Sequence, residues 1–119
     1  MQIEIDQSGK IENTEKHTYI AYSNNTHYCL KISSVEKRKL QKHFRSIGKP
    51  RKYVLFSFAA MIILLIERIK GKELIIIIDK EYSGKDSQLK DLLTHLSPRL
   101  KNQTLSIRSI GKKSNAHLL

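Results

Sequence analysis

Leu74-Ile75-Ile76-Ile77-Ile78-Asp79 is a continuous aliphatic run closed by a carboxylate. It is rich in β-branched side chains and too short for a helix, so it predicts a central strand covered on both faces, with Asp79 at its C-terminal mouth. A second stretch, Met1-Gln2-Ile3-Glu4-Ile5-Asp6, alternates, with Ile3 and Ile5 on one face and Glu4 and Asp6 on the other, as a half-buried strand does. If the two strands are neighbours, Asp6 and Asp79 converge on one metal-sized site.

Between these strands the chain reads as two further strands and two helices. Residues 17–23 and 27–32 are strands, joined through Asn24-Asn25-Thr26, where Asn tolerates the left-handed conformations of a tight hairpin. The polar stretch from Gln7 to Lys16 links the first strand to the second as a longer antiparallel connection. Ser33-Ser34-Val35-Glu36 is a capping box that opens a helix over about 34–46, with Leu40, Phe44 and Ile47 on one face. Gly48 and Pro50 break that helix. Tyr53 to Ile66 is almost wholly apolar, but it is bounded by Arg51-Lys52 and Glu67-Arg68 and falls short of the about 20 residues a spanning helix needs. It predicts a buried helix that starts near 52 and is ended by Gly71, and no membrane partner.

After Asp79, Ser83-Gly84 leads into a helix whose Leu89, Leu92, Leu93 and Leu96 follow the i, i+3, i+4, i+7 spacing, stopped by Pro98. Residues 103–109 alternate around Leu105 and Ile107 as a fifth strand, and Ser114 caps a short terminal helix. Three consecutive antiparallel strands followed by parallel strands joined through crossover helices give an α/β domain over residues 1–119: a mixed five-stranded sheet with helices on its faces.

The net charge of +11, from 22 Lys and Arg against 11 Asp and Glu, favours a polyanionic partner, because clustered positive charge releases condensed counterions on binding. Eight Lys or Arg residues lie between Lys37 and Lys52 with no acidic residue among them. Arg38, Lys42 and Arg45 are the candidates for backbone contact there. Lys85 and the Lys112-Lys113 pair are further candidates, since each precedes a helix N-terminus, where free N–H groups favour phosphate. Tyr22, Tyr28 and Tyr53 are candidates for stacking on bases, although strand and core packing is the ordinary role of such residues. The single Cys29 cannot form an internal disulfide and no signal peptide precedes the first strand, so the expected location is cytoplasmic.

The element order resembles the ribonuclease H-like superfamily, and three segments carry the likeness: Ile-Asp-Gln-Ser-Gly at 5–9, Ile-Asp-Lys-Glu-Tyr at 78–82 and Gly-Lys-Lys-Ser-Asn-Ala-His at 111–117. The resemblance implies a metal-binding Asp on the first strand, here Asp6, and another at the end of the fourth, here Asp79. It implies Mg²⁺- or Mn²⁺-dependent phosphodiester chemistry on DNA or RNA, because hard cations take oxygen ligands and activate water for in-line displacement. In that pattern a Glu lies near the start of the helix after the third strand. Glu67 falls at the wrong end of its helix, and Glu36 is explained by its capping box. Glu81, two residues past Asp79, points the same way if the strand persists. No Asp or Glu follows Asp91, so a terminal-helix carboxylate is excluded; the superfamily also contains Asp, Asp, His sites, and the resemblance implies His117, three residues after Ser114, as the last ligand. Asp6, Asp79, Glu81 and His117 are thus the catalytic candidates, with Asp6, Asp79 and His117 as metal ligands. Two other functions fit the same residues: a non-catalytic nucleic-acid-binding module with a degenerate site, and a transposase-like core fragment suggested by Asp79-Lys80-Glu81-Tyr82. The shortness of the terminal helix leaves room for a homodimer or a longer natural protein.

Overall fold

Alternation along Ile3, Ile5 and Gln7 decides which face of the sheet is packed. In a computed structural model, which describes residues 2–23, 27–69 and 73–110, five strands join in the order β3-β2-β1-β4-β5. They are β1 (Gln2–Ser8), β2 (Thr18–Ser23), β3 (His27–Ile32), β4 (Ile75–Asp79) and β5 (Thr104–Arg108). β1–β2 and β2–β3 pair antiparallel, whereas β1–β4 and β4–β5 pair parallel. The helices are α1 (Ser34–Ser46), α2 (Lys52–Glu67) and α3 (Asp86–Leu96), followed by a 3-10 turn at Pro98–Asn102. The molecule is therefore an α/β fold with a mixed five-stranded sheet flanked by helices.

One contiguous core lies on the Ile3 and Ile5 face. Ile20, Ile76 and Ile78 from the neighbouring strands join them, covered by Phe58, Ala59, Ile62 and Leu65 of α2 and by Leu89 and Leu93 of α3. β4 is not sheathed evenly, contrary to its aliphatic run. Ile77 is buried on the opposite face, yet Ile75 is 44% exposed there, because the described α2 and α3 both pack on the other side. A five-residue apolar string marks a central strand, but it does not say which of its faces receives a helix.

Two expectations for the helices change in the same way. α1 starts with the predicted capping box, Ser33 Oγ accepting from the Glu36 amide and the Glu36 carboxylate accepting from the Ser33 amide. Leu40 and Ile47, however, are exposed, and the buried position of α1 is Lys37. The Lys37 ammonium donates to the carbonyls of Lys10 and Asn13 at 3.1 and 2.7 Å and to Thr18 Oγ1 at 2.8 Å. With three acceptors it is fully used, which is what permits a charge to be buried. α2 ends at Glu67, ahead of Gly71, which lies outside the described residues. Its C-terminal end is met from a distance, as Arg99 donates to the carbonyl of Ile66 in the last turn and to that of Ile69 just beyond the helix. Arg99 sits in the 3-10 turn, where Pro98 was expected only to stop α3; Pro at the start of that turn costs no hydrogen bond.

The connection from β1 to β2 is anchored. Ile11 is completely buried, and its carbonyl accepts from Tyr53 Oη at 2.8 Å. Gly9 turns the chain out of β1 with φ +82, and a Cβ there would lie 2.6 Å from the His17 carbonyl oxygen, so no other residue fits. Among the described residues no helix is long and apolar enough to cross a membrane. The hairpin residues 24–26 and the expected terminal helix at Ser114 lie outside the described residues.

Candidate metal centre

Parallel pairing brings the two strand-end carboxylates together. The register matches Gln2 with Ile75 and runs to Ile5 with Ile78. One residue further, the same register sets Asp6 beside Asp79, at the C-terminal ends of adjacent strands. Both belong to the sheet face opposite the isoleucine core, since they alternate with Ile5 and Ile78. This is the convergence that the two sequence stretches predict, and its cause is a register that matches residues 73 positions apart from the first pair onward.

Glu81 completes a cluster with them. One carboxylate oxygen from each of Asp6, Asp79 and Glu81 lies within 4.8 Å of the other two. β4 has already ended at Asp79, so Glu81 does not arrive by strand alternation. It is placed by the segment that follows it. Tyr82 packs edge-on against Phe58, ring centroids 5.3 Å apart, and exchanges hydrogen bonds with Gln7, whose amide nitrogen lies 3.0 Å from Tyr82 Oη and 3.1 Å from the Gly9 carbonyl oxygen. Burial pushes the Tyr82 phenol up to about 12, so it stays a neutral donor. Gln7 and Tyr82 therefore tie the end of β1 to the turn after β4. The alternation of Ile3, Ile5 and Gln7 carried the signal for this buried Gln, although a polar residue at a strand end reads first as a turn residue.

The two aspartates are oriented by backbone amides. The Gln7 N–H donates to Asp6 Oδ1 and the Ile110 N–H to Asp79 Oδ1, each at 2.8 Å. Burial, followed by the charges of Asp79 and Asp6, pushes the Glu81 carboxyl up to about 7, and a hydrogen bond with Asp79 adds to the rise. Three carboxyls thus share a space that accommodates two negative charges far more easily than three. A cation relieves that repulsion. A hard cation such as Mg²⁺ takes oxygen ligands at about 2.1 Å, and the three carboxylates offer oxygens within 4.8 Å of one another. The three carboxylates are therefore close enough to hold a hard metal ion between them.

Among the described residues none of the other candidates joins this cluster. His117, Lys112 and Lys113 lie outside the described residues. Glu67 sits at the end of α2 that leads into the start of β4, away from Asp79, as expected. Glu36 is committed to its capping box, and the hydrogen bonds from Ser33 hold its carboxyl below the ordinary range. Arg38, Lys42 and Arg45 are exposed along one side of α1, with Arg38 donating to the Thr14 carbonyl at 3.0 Å. Lys85 caps α3 at its N-terminus and is exposed. The three tyrosines are packing residues. Tyr22 and Tyr28 lie 6.1 Å apart against the core with Arg68 over the Tyr28 ring, and Tyr53 is buried.

Compared with known proteins, the chain matches no family model and no curated protein. The cluster must therefore be interpreted from its own chemistry.

Proposed function

We propose that this chain is a divalent-metal-dependent nuclease of ribonuclease H-like fold, hydrolysing the phosphodiesters of DNA or RNA at the Asp6, Asp79 and Glu81 cluster with Mg²⁺ or Mn²⁺. The observation that carries the reading is the meeting of three carboxylates at the C-terminal ends of two adjacent parallel strands, within 4.8 Å of one another, in a chain of net charge +11. Asp6 and Asp79 supply oxygen ligands from the rigid sheet. Glu81, whose carboxyl titrates near neutrality, is the group that gives up its proton as a cation enters. The bound metal would supply an activated water and charge stabilisation at the leaving oxygen. Positive charge elsewhere on the surface draws the nucleic acid in and weakens with salt.

The test is cleavage of labelled single-stranded and duplex DNA and RNA with and without Mg²⁺ or Mn²⁺. Cleavage should require the metal and vanish in Asp6→Asn and Asp79→Asn, while both variants stay folded and still bind nucleic acid. One observation favours a second reading, a non-catalytic nucleic-acid-binding module. The only carboxylate on α2 is Glu67, at the end of the helix away from Asp79, so that helix brings no ligand to the cluster. Salt-sensitive binding with no metal-dependent cleavage of any of the four substrates would select the module.

A further inference from the structure

A groove of about 770 Å³ opens between the N-terminal half of α2 and α3, within the roughly 300–1,000 Å³ of small-ligand sites. Val54, Leu55, Phe56 and Leu92 form its apolar part. Arg51, Lys52 and Lys85 stand around it against one carboxylate, that of Asp91. The Lys52 ammonium lies 6.0 Å from the centre of the Phe56 ring, so an aromatic face and a cation are already paired there. No acidic residue occupies the first turn of α2, and no side chain caps its N-terminus. Tyr82 also lines the groove.

Each part of this arrangement suits a different part of a nucleotide. A flat, weakly polar base gains from an apolar and aromatic wall, and the cations at the edge suit the phosphates on either side. The excess of three cations over one carboxylate favours an anionic occupant and disfavours a basic or neutral peptide. The concavity disfavours a duplex, whose stacked bases cannot reach a recessed aromatic ring; an unpaired base can.

We propose that the groove between α2 and α3 is a single-strand binding site, taking an unpaired nucleobase against Phe56 and Leu92 while Arg51, Lys52 and Lys85 hold the flanking phosphates. The inference rests on the nuclease reading for what happens at the cluster, but strand binding in the groove needs no metal.

The experiment is fluorescence anisotropy on the full chain in EDTA, with a labelled oligopyrimidine and a duplex of the same length. Single strand should bind more tightly than duplex. Phe56→Leu keeps the apolar packing and removes the aromatic face, and it should weaken single-strand binding about tenfold. Arg51→Glu and Lys85→Glu, both at exposed positions, should each lower the slope of log affinity against log salt by roughly 1. Duplex binding as tight as single-strand binding, or a Phe56→Leu affinity equal to the parent's, overturns the proposal. So does a dimer that Phe56→Arg dissociates without changing oligonucleotide affinity, because the groove is then an interface between copies of the chain. Strand binding that depends on Phe56 without any metal-dependent cleavage keeps the groove and removes the nuclease reading. Cleavage that is indifferent to Phe56, Arg51 and Lys85 does the reverse.

Discussion

Replacing Glu81 with Gln should make the protein more stable at alkaline pH and leave it unchanged in acid. The ordinary Glu value of 4.5 rises to about 7 in the folded chain, driven by burial and by Asp79 and Asp6. At full strength that rise corresponds to roughly 3 kcal/mol; screening at this partly exposed site reduces it to about 1–2 kcal/mol. The sign follows from proton linkage. Below pH 4.5 Glu81 is protonated in both states and costs nothing. As pH rises to 7 the unfolded chain ionises first, so the folded state loses stability, and above 7 the whole penalty is present. Urea denaturation in EDTA at a series of pH values from 4 to 8.5 measures this. At the slopes of about 1–3 kcal/mol/M typical of small domains, Glu81→Gln should unfold roughly 0.5–1 M later than the parent at pH 8 and with it at pH 4. Mg²⁺ or Mn²⁺ should close the gap at pH 8, since a cation stabilises the ionised cluster of the parent more than that of the variant. A separation between the two midpoints that stays constant from pH 4 to 8.5 would refute the reasoning.

Three further outcomes follow from the same contacts. Lys37→Met leaves the carbonyls of Lys10 and Asn13 and the Thr18 hydroxyl without their shared donor, and urea unfolding should show a loss of about 2–4 kcal/mol. Gly9→Ala forces a Cβ towards the His17 carbonyl at positive φ and should cost about 1–3 kcal/mol in the same assay, whereas Gly48→Ala, with open space around it, pays only the backbone part. Nucleic-acid affinity should fall steeply with salt, and reversing the charge at Arg38, Lys42 and Arg45 together should lower the slope of log affinity against log salt by about 2–3. An unchanged slope would show that α1 does not face the phosphates.

The order of strands and helices, the central position of β4 and the meeting of Asp6 with Asp79 are written in local patterns. Alternation and an aliphatic run identify the two strands, and parallel pairing through a crossover leaves their C-terminal ends at the same edge. The capping box at Ser33 and Glu36 is equally local, because all of its atoms lie within four residues. Glu81, Lys37 and Gln7 are different. Glu81 reaches the cluster after its strand has ended, held by a Tyr82 contact to Gln7 across 75 positions of sequence. Lys37 is buried because two carbonyls of the β1–β2 connection and the Thr18 hydroxyl at the start of β2 surround its ammonium, whereas Leu40 and Ile47 on the apparent apolar side of α1 stay exposed. Sequence patterns report the preference of a residue for water or for an apolar surface. Which residue obtains a partner depends on segments far away in the chain, and a hydrogen bond or a repulsive charge acts over a few ångströms, so the position of such groups is decided only when the chain has folded.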